Sequence, residues 1–193
     1  MNFVVGKLVG YAETNLELSR YDAAKLRYMF ELVLLNTMEF VAIALFFAYI
    51  GRTTEFLIAA GVLLSVRTFS GGFHLKKFRY CFVLTFAIFV AVILVLPDVS
   101  NTFALMETLL LVSILLTVAL APVSKRKSAA KNNLIFKVIS TAVILVYSFW
   151  LLTARDNPYA SIVTWTILFQ SVQLIIGKVM ILHEKAKKQQ HVS

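Results

Sequence analysis

Six long apolar segments, separated by short polar or basic stretches, constrain this chain more than any other feature of its sequence. A helix that crosses a bilayer needs about 20 apolar residues. The chain is 60% hydrophobic, whereas soluble domains are roughly 45–50% apolar. The pattern predicts an all-α integral membrane protein with about six transmembrane helices. The segments cover roughly residues 32–50, 54–69, 80–96, 103–121, 134–152 and 159–182.

Proline marks several of the segment boundaries, because proline and the residue before it disfavour a continuing helix. Pro97, Pro122 and Pro158 each lie at or near the end of an apolar segment. The second segment is short, begins with a Thr-Thr-Glu sequence and ends close to Arg67. No strand pattern and no internal repeat is visible.

The ends of the chain differ in character from the apolar middle. Residues 2–12 carry apolar side chains at helical spacing, which predicts an amphipathic helix. It can lie on the bilayer surface or pack under the membrane domain. We therefore expect an N-terminal cytoplasmic segment (1–30), a polytopic membrane domain (31–182) and a basic cytoplasmic tail (183–193).

The distribution of lysine and arginine predicts the orientation. If both termini are cytoplasmic, the inner segments carry fourteen Lys and Arg residues and the outer loops only Arg52 and Arg155. Cytoplasmic loops of membrane proteins carry this excess, so the protein is expected to be multi-pass, with residues 71–79 on the cytoplasmic side. The net charge of +9 is spread over these loops, which does not favour nucleic-acid binding.

The stretch from Arg67 to Cys81 (RTFSGGFHLKKFRYC) holds the one cysteine of the chain and a Gly-Gly pair. A cytoplasmic thiol stays reduced. Cys81 is expected in the first turns of the third span, where the helix dipole and nearby basic residues favour a thiolate. His74 has the pKa range of a general base.

The spacing of His74 and Cys81 excludes one continuous helix as the catalytic arrangement. Residues seven apart share a helix face but lie about 10 Å apart along its axis. The preceding segment must therefore fold back, for which Gly71 and Gly72 supply backbone freedom. We predict that the third helix starts near residues 76–78.

Two further polar residues belong to the candidate site. Arg67 can bind a substrate carboxylate or carbonyl, or it can only extend its charged end to the membrane surface. Ser70 can cap a helix, donate to an oxyanion or belong to a turn. Taken singly, a cysteine in a membrane helix is usually a small apolar residue, and a loop histidine is usually solvated.

The spacing Arg67-x3-Gly71-Gly72-x-His74-x6-Cys81 resembles the signature of the accessory gene regulator protein B family, membrane cysteine endopeptidases that process quorum-sensing pro-peptides. The resemblance places the family's arginine on Arg67, its loop glycine on Gly72, its catalytic histidine on His74 and its catalytic cysteine on Cys81. It implies cleavage at the cytoplasmic face through a thioester, followed by ring closure to a thiolactone or lactone.

The resemblance also implies what the protein binds. The substrate would be a pro-peptide with an amphipathic N-terminal segment and an acidic tail. The site would lie at the edge of the lipid bilayer of the cell membrane, and the family allows a homodimer. No cofactor, metal or nucleic acid is implied.

A third catalytic group is not evident from the sequence. Glu39 is the best single choice to orient His74, because it is the costliest polar residue to bury in its span. Asn36, Gln170 and Gln173 are alternatives, for which interhelical hydrogen bonding is the commoner role. A small transporter and a non-enzymatic membrane scaffold remain as other functions; sparse charge within the spans counts against the transporter.

Overall fold

A computed structural model gives the fold as a set of helices, and the described residues contain no strand. The chain divides into two compact units, Met1–Ile50 and Gly51–Ser193. The described residues are 6, 10–11, 20–71, 78–97, 103–123, 133–153 and 157–190.

The first unit is dominated by one long helix, α1, Arg20–Tyr49. Its 30 residues span about 45 Å. Asp22 lies in its first turn, where a negative charge is favourable, and Arg27 pairs with Glu31 one turn later. The helix therefore runs without interruption from Arg20 into the first apolar segment.

The predicted amphipathic helix over residues 2–12 lies largely outside the described residues. Gly6, Gly10 and Tyr11 are helical. Both placements of this helix, on the bilayer surface and under the membrane domain, therefore stay open. The predicted boundaries of the three parts of the chain, at residues 30 and 182, also stay predictions.

Among its described residues the second unit contains five helices, each of which coincides with a predicted apolar segment. The helix of the third apolar segment continues into a π-helical turn, Ala91–Val95. In this turn the Leu96 amide donates to the Ala91 carbonyl, just before Pro97. The helices are α2 (Thr53–Ser70), α3 (Phe78–Val90), α4 (Phe103–Leu120), α5 (Asn133–Thr153) and α6 (Ala160–Gln190).

Helix α6 starts and ends for different local reasons. Before it, the Asn157 side-chain oxygen accepts a hydrogen bond from the Tyr159 amide at 2.9 Å, a turn typical of Asn. Its apolar part ends at His183. It continues to Gln190 through Ala, Glu, Lys and Gln, all good helix formers, so most of the predicted basic tail extends the last helix.

An apolar core lies between α2, α4, α5 and α6. Helices α4 and α6 pack closely, and α2 packs on both α5 and α6. The core has an aliphatic centre and includes Val66, Leu110, Ile144 and Ile167. The C-terminal end of α2 lies directly against the middle of α6.

Small hydroxyl residues connect the helices inside this core. Ser171 of α6 donates to the Ser113 carbonyl of α4 at 3.3 Å and lies 3.4 Å from the Thr117 hydroxyl. Ser65 of α2 lies 3.1 Å from the Tyr147 hydroxyl of α5. Such contacts let helix backbones approach closely, as they do in membrane helix bundles.

The outward faces of the helices are apolar. On α5, Ile144 is fully buried, whereas its neighbours Leu145 and Val146 are 50% and 68% exposed. Extended apolar surface of this kind marks contact with a membrane or another protein. Together with the long apolar helices it indicates a membrane protein.

Within the part of the chain that the structure describes, three helices are long and apolar enough to cross a membrane: Tyr21–Tyr49, Leu134–Thr153 and Ala160–His183. Two further apolar helices are shorter, Tyr80–Val95 and Ala104–Leu120. The all-helical membrane class is therefore confirmed. The number of six spans and the cytoplasmic position of both termini stay predictions.

Candidate active site

The stretch singled out from the sequence connects two helices. Residues Arg67–Gly71 close α2, and Cys81 lies near the start of α3. Gly72 and His74 between them lie outside the described residues. The predicted approach of His74 to Cys81, and any role of Gly72, therefore stay predictions.

Cys81 is the fourth residue of α3 as described, and its side chain is a partly exposed free thiol. The structure describes α3 from Phe78, at the end of the interval predicted for its start. Amide groups in the first turn of a helix have no partner within the helix and carry partial positive charge. This position suits a thiolate that must stay accessible to a substrate.

Arg67 occupies the last turn of α2, and its side chain is partly buried. Its backbone carbonyl accepts a hydrogen bond from the Gly71 amide at 3.0 Å. The backbone of Arg67 thus forms the last hydrogen bond at the end of α2. The predicted binding of substrate by its side chain stays a prediction.

Ser70 and Gly71 are held by Gln170 of α6. Gln170 is fully buried, and its Nε2 donates to the Gly71 carbonyl at 2.8 Å and to the Ser70 hydroxyl at 3.2 Å. The Ser70 hydroxyl also donates to the Gly71 carbonyl at 3.2 Å. Ser70 therefore has a structural role here, closest to the predicted turn role.

A third chain segment meets the same point. The Val123 amide donates to the Ser70 carbonyl at 3.0 Å, and Gly71 and Val123 form an isolated parallel bridge. Gly71 has φ 75° and ψ −162°, a region that is essentially restricted to glycine. A Cβ atom at Gly71 would collide with the Val123 carbonyl oxygen.

We call these four residues, Ser70, Gly71, Val123 and Gln170, the Gly71 junction. It joins the end of α2, the segment after α4 and the middle of α6. Since the chain leaves Gly71 directly into the segment that contains His74, the junction fixes where that segment begins. Gly71 thus adopts a backbone conformation that favours glycine, whereas the fold-back that Gly71 and Gly72 were expected to allow stays a prediction.

The remaining predicted residues have separate positions. Glu39 lies on α1 and is buried; its role beside His74 stays a prediction. Gln170 forms the interhelical hydrogen bonds that were its alternative role. Within the part of the chain that the structure describes, no three His, Cys, Asp or Glu side chains are grouped so that they could hold a metal ion.

The stability of Gln170 variants should depend on which chemical group the new side chain places beside the Gly71 carbonyl. We expect Gln170→Glu to be the most destabilising, because a buried carboxylate would replace an N–H donor beside a carbonyl oxygen. Gln170→Leu should lower the free energy of unfolding by about 1–2 kcal/mol, because it removes the hydrogen bonds. The loss is limited because leucine also removes the buried Oε1 atom, which has no hydrogen-bond partner among the described residues. Thermal unfolding in detergent micelles measures the ranking.

Gln173→Ala is the matched control for this series. Gln173 is buried on the same helix and makes no hydrogen bond to the described residues, so its loss should change the unfolding midpoint less than either Gln170 variant does. A Gln170→Glu protein as stable as the wild type would contradict the hydrogen-bond arrangement at the junction.

The comparisons with known proteins agree on one family. The sequence profile of accessory gene regulator B matches residues 5–174, which include the whole stretch from Arg67 to Cys81. A "Putative AgrB-like protein" of Clostridium beijerinckii is 27% identical over 171 residues, covering 86% of this chain and 83% of that protein. No solved structure matches the chain. Because the profile covers most of its length, this chain belongs to the accessory gene regulator B family.

Proposed function

We propose that this protein is a membrane-embedded cysteine endopeptidase that cleaves a quorum-sensing pro-peptide and promotes its cyclisation. Membership of the family supports a role in the accessory gene regulator quorum-sensing system. The observation that carries the finer proposal is the position of Cys81. It is the one cysteine of the chain, a partly exposed free thiol in the first described turn of a helix, within the matched residues.

In the first step His74 removes the proton from the Cys81 thiol, and the thiolate attacks the carbonyl carbon of the scissile peptide bond. The C–N bond breaks, and protonated His74 returns the proton to the departing amine. The C-terminal fragment leaves, and the N-terminal fragment stays on Cys81 as a thioester.

In the second step a thiol or hydroxyl within the bound peptide attacks the thioester carbonyl, and His74 accepts its proton. The C–S bond to Cys81 breaks, a thiolactone or lactone ring closes, and the Cys81 thiolate is reprotonated. A site from which water is excluded would protect the thioester until the ring closes. The beginning of a membrane helix is a suitable place for such a site.

We propose the cytoplasmic face of the cell membrane as the location of this chemistry. The charge distribution supports this, since Lys76, Lys77 and Arg79 lie between His74 and Cys81 in the sequence and a second basic cluster covers Lys125–Lys131. These basic residues would attract the acidic tail of the pro-peptide. The transporter alternative gains no support from the structure, because Glu39 is the only buried charged residue among those described.

The acyl-enzyme is the intermediate that tests this proposal. The protein in lipid vesicles is mixed with the pro-peptide encoded nearest to its gene, and the reaction is stopped with acid within its first turnover. We expect mass spectrometry to find the N-terminal fragment attached at Cys81, and hydroxylamine to remove it. Release of the C-terminal fragment without a thioester at any time point, or an oxygen ester elsewhere, would overturn the proposed mechanism.

A further inference from the structure

A crevice at one end of the helix bundle is lined by two lysines and, among the described residues, by no acidic residue. It has a volume of about 460 Å³ and lies between the C-terminal end of α4, the first turns of α5 and the end of the apolar part of α6. Lys137 of α5 and Lys178 of α6 both line it. Binding sites for small ligands are typically about 300–1,000 Å³, so the crevice is large enough for a polar headgroup.

The two lysines differ from the loop lysines of this chain. Both belong to apolar helices, and neither forms a salt bridge with the described residues. A lysine at the end of a span can extend to water alone, but here two ammonium-bearing side chains line one cavity. An anion in the crevice would be attracted by both ammonium groups.

The rim of the crevice is aliphatic and exposed. Leu134 and Leu182 are 74% and 58% exposed, and both line the crevice together with the partly buried Ile181. A soluble anion would make no contact with these side chains. Acyl chains would cover them while a phosphate lies beside the lysines, a combination of basic pocket and apolar surface that binds lipid headgroups at the cytoplasmic ends of membrane helices.

We propose that this crevice is a binding site for an anionic phospholipid, with its phosphate between Lys137 and Lys178 and its acyl chains on Leu134 and Leu182. Val123 lines the crevice and also donates to the Ser70 carbonyl. The lipid therefore lies against the segment that helps form the Gly71 junction. The site is independent of the proposed peptidase activity.

The test counts bound lipid on the full-length protein. The protein in neutral detergent micelles is titrated with phosphatidylglycerol or phosphatidylcholine, and native mass spectrometry reports the complexes. We expect one tightly bound phosphatidylglycerol and no comparable phosphatidylcholine complex. Lys137→Gln and Lys178→Gln should each weaken binding about fivefold, and the double variant about 25-fold.

The controls separate this site from general attraction to charge. Lys187→Gln removes an exposed lysine of α6 that does not line the crevice and should leave binding unchanged, and the arginine variants at 137 and 178 should retain it. Circular dichroism and gel filtration establish that each variant is folded. Equal binding by the double variant and the wild type, or equal binding of the two lipids, would overturn the proposal.

Two further probes distinguish other occupants. Glycerol phosphate should bind far more weakly than phosphatidylglycerol, because it cannot cover the aliphatic rim. If it binds equally well, the site is for a soluble anion and the proposal is wrong. The proposal is also wrong if the Lys137→Gln, Lys178→Gln double variant binds phosphatidylglycerol as the wild type does but no longer binds an acidic peptide.

Discussion

Replacing Cys81 with alanine is expected to reduce cleavage of the pro-peptide by on the order of 10⁴-fold or more, because no other thiol exists in the chain to form the acyl-enzyme. His74→Ala should lose about 10²–10⁴-fold, the range of a general base. Cys81→Ser should hold uncleaved pro-peptide, because a hydroxyl is a far weaker nucleophile than a thiolate. Co-expression with the pro-peptide, followed by mass spectrometry of both fragments, measures these losses.

Two matched variants show whether these losses belong to the chemistry. Thr85→Ala changes a partly buried residue one turn after Cys81 on the same helix, and His183→Ala removes an exposed histidine at the far end of the apolar part of α6. Both should cleave at close to the wild-type rate. If Cys81→Ala and His74→Ala also cleave the pro-peptide, the protein is not a cysteine peptidase, and the scaffold alternative gains support.

The helices of this protein could be predicted because each is specified by its own sequence. A continuous apolar run needs no distant partner to form a helix in a membrane, where every backbone polar group must be satisfied within the segment. Pro97, Pro122 and Pro158 then separate the runs. The six predicted segments accordingly coincide with α1–α6 to within a few residues, except that α1 begins earlier and α6 extends to Gln190.

The Gly71 junction could be predicted only in part, because its partners are far away in the chain. The Gly-Gly pair showed that the backbone needs freedom near residue 71. The reason depends on Val123 and on Gln170, which is 100 residues from Ser70. Similarly, Lys137 and Lys178 lie on different helices, and only the packing of α4, α5 and α6 brings them to one crevice.

The candidate site therefore has two parts, one that carries out the chemistry and one that positions the chain. Cys81 and His74 would carry the reaction, whereas Gln170 and Gly71 fix the point at which the chain enters the segment that contains His74. A substitution in the second part should therefore reduce both stability and processing. A substitution at Cys81 should affect processing alone, which separates the chemical residues from the positioning ones.

Gly71→Ala is expected to be more destabilising than alanine at Gly51 or Gly61. Alanine at φ 75° and ψ −162° is strained by about 1–3 kcal/mol, and its Cβ would meet the Val123 carbonyl oxygen. Relief of that collision would separate α2 from the segment after α4, so the Val123–Ser70 hydrogen bond would weaken or break. We expect a thermal midpoint lowered by several degrees and pro-peptide processing reduced at least tenfold.

Alanine variants at two other glycines separate the cost of backbone strain from the cost of the collision. Gly51 also has a positive φ of 74°, but a Cβ there meets nothing within 4 Å, so Gly51→Ala should show the backbone strain without the collision. Gly61 lies inside α2 with open space around it, and Gly61→Ala should raise stability by up to about 1 kcal/mol, the usual gain for alanine over glycine in a helix. The expected order of thermal midpoints is Gly61→Ala, wild type, Gly51→Ala and then Gly71→Ala. If Gly71→Ala is no less stable than Gly51→Ala, the close approach of Val123 does not constrain residue 71, and another contact must fix the start of the His74 segment.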